Sequence, residues 1–97
     1  MATMSALASP HRMRILATLK VDGRIYVSEL ARELGMSRPL LHLHLKKLEE
    51  AGLVTSRLEL SGDGKALNFF EVCDFDLRLT PALVAEAAKS LTIKAHE

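Results

Sequence analysis

Apolar residues recur at helical spacing along most of this chain and switch to alternation in one stretch near its middle. After Ser9-Pro10, a pairing of cap and first-turn proline that opens helices, Met13, Ile15, Leu16 and Leu19 form a helical stripe that stops at Asp22-Gly23. Residues 1–8 ahead of it read as a helical lead-in or a loose terminus. Arg24-Ile25-Tyr26-Val27 is a β-prone run too short for more than an edge strand or an extended link. Ser28 is placed to cap a second helix whose Leu30, Ala31 and Leu34 share a face and whose stop is Gly35. Ser37 caps a third helix. A wheel groups Leu41, Leu45 and Leu48, flanks them with Leu40, His44 and Ala51, and leaves Pro39, His42, Leu43, Lys46, Lys47 and Glu50 opposite.

Past Gly52 the period changes to two. Residues 53–60 and 66–73 read as strands of a hairpin, with Gly62 and Gly64 expected to supply the positive backbone angles at its tip, Ser61-Gly62-Asp63-Gly64-Lys65. Asp74-Phe75-Asp76-Leu77 connects to Thr80-Pro81, a repeat of the cap-plus-proline signature, which opens a last helix through about Ile93. Its Leu83, Val84, Ala87, Ala88 and Leu91 form an alanine-rich apolar stripe. The order helix, short strand, helix, glycine turn, helix, hairpin, helix is a winged helix-turn-helix arrangement, mainly α with a small β-hairpin. It predicts a single domain over residues 1–97, with the helix-turn-helix at about 28–51, the wing at about 53–73 and the last helix at about 80–94.

Composition narrows the function. The 97-residue chain has a net charge of +1, which argues against a protein that coats DNA non-specifically. The charge is uneven: residues 1–65 carry ten Lys/Arg against seven Asp/Glu, and residues 66–97 carry three against five. The excess therefore lies with the helix-turn-helix half. One cysteine, Cys73, excludes an internal disulfide and a cysteine-rich zinc site, and a lone thiol fits a reducing compartment. With neither a signal-peptide pattern nor an apolar run of about 18 residues, the expected location is the cytoplasm. Aromatics amount to 4%, so the core is expected to be aliphatic, with Tyr26, Phe69, Phe70 and Phe75 as packing residues.

The candidate chemistry is recognition of double-stranded DNA. Arg38, His42, Lys46 and Lys47 lie on the first turns and outer face of the third helix, where a helix in the major groove meets bases and phosphates. Ser37 and the amides of the first turn, Pro39 included in that turn, offer an anion site, and outward Leu43 suits a thymine methyl. Arg57 and Lys65 on the wing are positioned for phosphates or the adjacent minor groove. Arg12 and Arg14 are read either as backbone contacts or as intramolecular pairs. His42 and His44, two apart, do not face each other, so no metal site is expected there; His44 is read as a packed, hydrogen-bonded histidine at the core edge. There is no phosphate loop, nucleophile elbow or paired histidine with glutamate, so no catalytic residue and no cofactor are assigned. Cys73 is read as a buried thiol.

The segment Leu7-Ala8-Ser9-Pro10-His11-Arg12-Met13-Arg14-Ile15-Leu16 resembles the opening helix of the ArsR-type winged helix-turn-helix regulators. Val27 to Ala31, Gly35 to Ser37 and His44 to Val54 resemble that family's helix-turn-helix and the start of its wing; with the hairpin, the likeness covers roughly residues 5–73. The resemblance implies a DNA-binding transcriptional regulator. Tyr26-Val27-Ser28-Glu29-Leu30 carries no thiol where metal-sensing members place a Cys-x-Cys pair. Of the family's other metal site, on the last helix, only His96 and Glu97 remain. Leu40 and Leu43 replace the small or polar residues usual on the reading helix, so base contacts are not carried over. The chain is expected to act as a homodimer on a roughly palindromic operator, with Leu7, Leu83, Val84, Ala87, Ala88 and Leu91 at the two-fold interface. The alternative is a winged-helix module that binds a protein through Leu40 and Leu43 and not DNA.

Overall fold

In a computed structural model, residues 2–89 and Leu91 are described. The chain runs α1 (Ala2–Leu7), α2 (Pro10–Asp22), β1 (Ile25–Tyr26), α3 (Val27–Leu34), α4 (Arg38–Glu50), β2 (Val54–Leu60), β3 (Ala66–Val72) and α5 (Pro81–Ala88). The terminus is thus helical, and the short β-prone run is an edge strand. The sheet has the order β1-β3-β2 and is antiparallel throughout, with Ile25 opposite Phe70, Ser56 opposite Phe70 across the hairpin, and Leu60 opposite Ala66 at its far end.

The core lies where α2, α3 and α4 meet the base of the sheet. Ile15, Leu19, Leu30, Leu41, Leu45, Leu48 and Val54 are wholly buried, and Phe70 closes the cluster from β3. Met13, grouped by its spacing with the α2 stripe, is instead 59% exposed. Ile15, Leu16 and Leu19 take the inner face, and Met13 lies outside that narrow arc. Tyr26 and Phe69 meet edge to face, and Phe75 is exposed.

Three of the four predicted caps hold. Ser9, Ser37 and Thr80 side chains accept from the backbone N–H groups of Arg12, Leu40 and Leu83 at 3.3, 3.3 and 3.0 Å. Ser28 does not cap α3. Pairing of Tyr26 with Phe69 holds Tyr26 extended, and the helix begins at once with buried Val27, so Tyr26 occupies the cap position and bonds through no side chain. Between α3 and α4, Gly35 takes a left-handed φ of 64°, and Met36 N–H returns to Ala31 O at 3.0 Å, which turns the chain without a bulky residue. At the wing tip only Gly64 has a positive φ, 85°; Gly62 does not. Ser61 supplies the rest of that turn: its N–H donates to Lys65 O at 2.7 Å and its O accepts from Gly64 N–H at 3.0 Å.

No residue of α5 is buried. Leu83 is half-buried, while Val84 and Leu91 are 49% and 39% exposed. The predicted end of this helix beyond Lys89, with His96 and Glu97, lies outside the described residues apart from Leu91.

Candidate nucleic-acid interface

Helix α4 divides its residues by face. Leu41, Leu45 and Leu48 are buried to 0–1% exposure, and Arg38, Pro39, His42, Leu43, Lys46 and Lys47 are all exposed. Burial of three leucines on one stripe fixes the helix's rotation, so the outward set is a consequence of the inward one. The first turn offers fewer donors than its position promises. Pro39 has no N–H, and the Leu40 N–H is taken by Ser37 Oγ.

Two recesses flank the outer face. One, of about 400 Å³, lies toward α2 and is lined by Arg12, Leu40, Leu43, His44, Lys46, Lys47 and Glu50. The other, of about 280 Å³, lies between α4 and the wing and includes His42, Lys46, Glu49, Ser56 and Asn68. Lys46 borders both. Ser56 Oγ donates to Glu49 Oε2 at 2.8 Å, which ties the wing to the helix and occupies an acidic group beside Lys46. Neither Ser56 nor Asn68 is singled out by the sequence; only the hairpin register places them beside α4.

The wing residues separate. Arg57 stands opposite Phe69 and shares a recess with Arg24, Thr55, Phe69 and Glu71 on the sheet face turned away from α4. On that face Arg24 pairs with Glu59 and lies 4.3 Å over the Phe69 ring. Lys65 is exposed at the tip, clear of both recesses. Its N–H donates to Ser61 Oγ and Asp63 Oδ1, at 3.2 and 3.3 Å, and Ser61 Oγ also donates to Asp63. Bonds from Ser61 first, and then from the Lys65 amide, hold the Asp63 carboxyl below its ordinary pKa, so Asp63 is a scaffold of the turn.

The two arginines of α2 are intramolecular. Arg14 Nη2 donates to Leu34 O at 3.4 Å. Arg12 Nε and Nη2 donate to Ala6 O and Ser5 O at 2.6 and 3.2 Å, and Nη1 lies 3.2 Å from His44 Nδ1. His44 is therefore the hydrogen-bonded core-edge histidine expected. Burial pushes its pKa down, and the charges of Arg12, His11 and Lys47 push it the same way. Cys73 is half-buried beside Lys20 and Phe75. Leu7 packs against the core. Among the described residues no group of three His, Cys, Asp or Glu side chains converges on a point that could hold a metal, and no helix is long and apolar enough to cross a membrane.

The fold and this outer face define a winged helix-turn-helix protein. Residues 7–57 match the family model described as a helix-turn-helix domain. Over 71 residues, 72% of each chain, the sequence is 45% identical to the uncharacterized HTH-type transcriptional regulator MJ0229 of Methanocaldococcus jannaschii. Among solved structures, HlyU from Vibrio cholerae N16961 superposes with a TM-score of 0.66 at 26% identity, over 91% of this chain and 86% of that one. The ArsR family transcriptional regulator RHA00566 does so with a TM-score of 0.58 at 27% identity, over 92% and 80%. The chain belongs to the ArsR-type winged helix-turn-helix transcriptional regulators.

Proposed function

We propose that this regulator reads a roughly palindromic operator as a homodimer, placing α4 of each copy in a major groove. The observation that carries this reading is the division of α4, whose buried leucines leave Arg38, His42, Leu43, Lys46 and Lys47 on one exposed face. Ser37 and Pro39 set the start of that helix, and Lys65 at the wing tip is free to meet a phosphate. Arg57, on the far sheet face, fits a backbone contact only on DNA that curves around the wing. The modest net charge means that one copy holds DNA weakly and that two half-sites are needed.

Dimerisation is supported by the exposed apolar surface of Val84 on α5, a helix with no fully buried residue, and of Leu91 three residues beyond its end. Leu83, Ala87 and Ala88 continue that surface, and Leu7 adds the part of its side chain that the core leaves open. A chain of this size gains stability by covering such a face with a second copy. The test is selection of bound sequences from a random duplex pool. Two matching half-sites about one helical turn apart are the expected result; a single unrepeated site, or no enrichment, contradicts the proposal. Sedimentation of Leu91→Glu is expected to give monomers from a dimeric parent, and an unchanged mass would remove Leu91 from the interface.

A further inference from the structure

Arg12 stands where three helices meet. From α2 it reaches two carbonyls of α1, those of Ser5 and Ala6, and one ring nitrogen of α4, Nδ1 of His44. A guanidinium has only donors and keeps its proton, so Nδ1 must accept. That fixes His44 as a neutral ring with its proton on Nε2. We infer that Arg12 is a positioning residue for DNA binding, fastening the reading helix α4 to α1 through neutral His44, and that protonation of His44 releases the fastening and lowers affinity for duplex DNA in acid. This rests on the proposal that α4 is the DNA-contacting helix.

The surroundings of His44 oppose a second proton on balance: burial and the cations of α2 and α4 act against it, and Glu50, a carboxylate lining the same recess, acts for it. From α2 come Arg12 and His11, whose ring centroid is 5.6 Å away at a tilt of 35°. From α4 itself comes Lys47, and Lys46 and Glu50 line the same recess. Helix α1 contributes no ionisable side chain. A proton on Nδ1 would set an N–H against a guanidinium that has nothing to accept with, so the bond cannot persist. Arg12 then keeps its two α1 carbonyls but no longer joins them to α4, so that α1 is held by this residue to α2 alone and its protection weakens. The predicted sign is opposite to that of bare electrostatics, because an added positive charge beside a DNA-facing surface strengthens binding to a polyanion. Affinity lost in acid therefore separates a positional effect from a charge effect.

The test uses the full chain, its His44→Gln variant, which keeps an acceptor but does not titrate, and its Arg12→Lys variant. Three quantities are followed between about pH 8 and about pH 5, the range in which histidine titrates. These are the His44 ring resonances, amide exchange of α1, and affinity for a fluorescent random-sequence duplex at low salt. In the parent, α1 protection is expected to fall with the midpoint of the His44 ring, and duplex affinity to fall about tenfold over the same range, the scale of losing a hydrogen bond to a charged group. His44→Gln is expected to hold α1 protection flat and to lose the fall of duplex affinity in acid. Arg12→Lys, whose single nitrogen cannot span three acceptors, is expected to show weakened α1 protection at every pH with unchanged helix content, and it carries the test should His44→Gln fail to fold.

Protection of α1 that ignores the His44 midpoint, or a parent-like pH profile in His44→Gln, overturns the inference. So does affinity that rises in acid while α1 loosens. Protection that follows His44 in a chain that binds no duplex at any pH upholds the tie and overturns the DNA-binding proposal, so the two failures are distinct.

Discussion

Ser56 Oγ donates to Glu49 Oε2 at 2.8 Å, joining the first wing strand to the last full turn of α4. Both residues are exposed, so water competes for the bond, and its contribution to stability is small. Its geometric role is larger, because it sets the opening of the recess in which His42, Lys46 and Asn68 meet. Glu49→Ala is expected to lower stability by only about 0.5–1 kcal/mol while shifting the amide resonances of Ser56 and Asn68 in an NMR spectrum. Resonances on the wing that stay in place would show that the helix and wing are set independently of this bond.

Three leucines on α4 test the assignment of its faces. Leu45 is 1% exposed and Leu48 0%, whereas Leu43 is 64% exposed. Leu45→Ala or Leu48→Ala is expected to destabilise the fold by about 2–5 kcal/mol, enough to unfold much of a small domain. Leu43→Ala is expected to change stability by less than about 0.5 kcal/mol. Denaturant titration of the three variants measures this, and comparable losses at Leu43 and Leu45 would mean that α4 is rotated from the position described.

The cap of α4 is a separate quantity. Ser37 Oγ accepts from Leu40 N–H, so removing the hydroxyl takes that acceptor from a first-turn donor. Ser37→Ala is expected to cost about 1 kcal/mol, or roughly 4–8 °C in melting temperature for a domain of this size. Ser28→Ala, at a residue inside α3 that makes no cap, is expected to cost distinctly less. A scanning calorimeter resolves the difference, and equal losses would restore Ser28 as a cap.

Stability should also depend on pH through His44. Its folded pKa lies below the ordinary 6.5, chiefly because of burial and then because of Arg12, His11 and Lys47. The unfolded chain therefore takes up a proton at a higher pH than the folded one. The stabilisation is complete above the unfolded value and is lost as pH falls through it toward the folded value. Melting temperature is expected to decline below about pH 6.5 in the parent and to decline less in His44→Gln. Identical slopes would exclude His44 as the source.

Much of this fold was legible because it is written in side-chain periodicity. Leu41, Leu45 and Leu48 mark a stripe whose burial the wheel gives directly, and Ser9, Ser37, Thr80 and Gly35 mark ends whose chemistry is local. The start of α3 was not, because Ser28 is a good local cap and only the pairing of Tyr26 with Phe69 overrides it. Alternation predicted a strand over residues 53–60 without showing which face Arg57 takes, since a shift of one residue exchanges the faces. Arg12 was open between DNA and the protein because two of its three partners are backbone carbonyls, which have no sequence signature. The exposed set on α4 was predicted as a set, and the recesses on either side of it came only from the packing of α2 and the wing.

The central claim is that the outer face of α4 meets DNA, and Lys46 and Lys47 are where to test it. Affinity of the parent and of the Lys46→Glu/Lys47→Glu variant for a random-sequence duplex should be measured at several salt concentrations. The variant is expected to bind more weakly to every sequence, with a logarithmic salt dependence shallower by about 2 per subunit. Equal affinity and equal salt slope in the two proteins would contradict the account and remove α4 from the DNA.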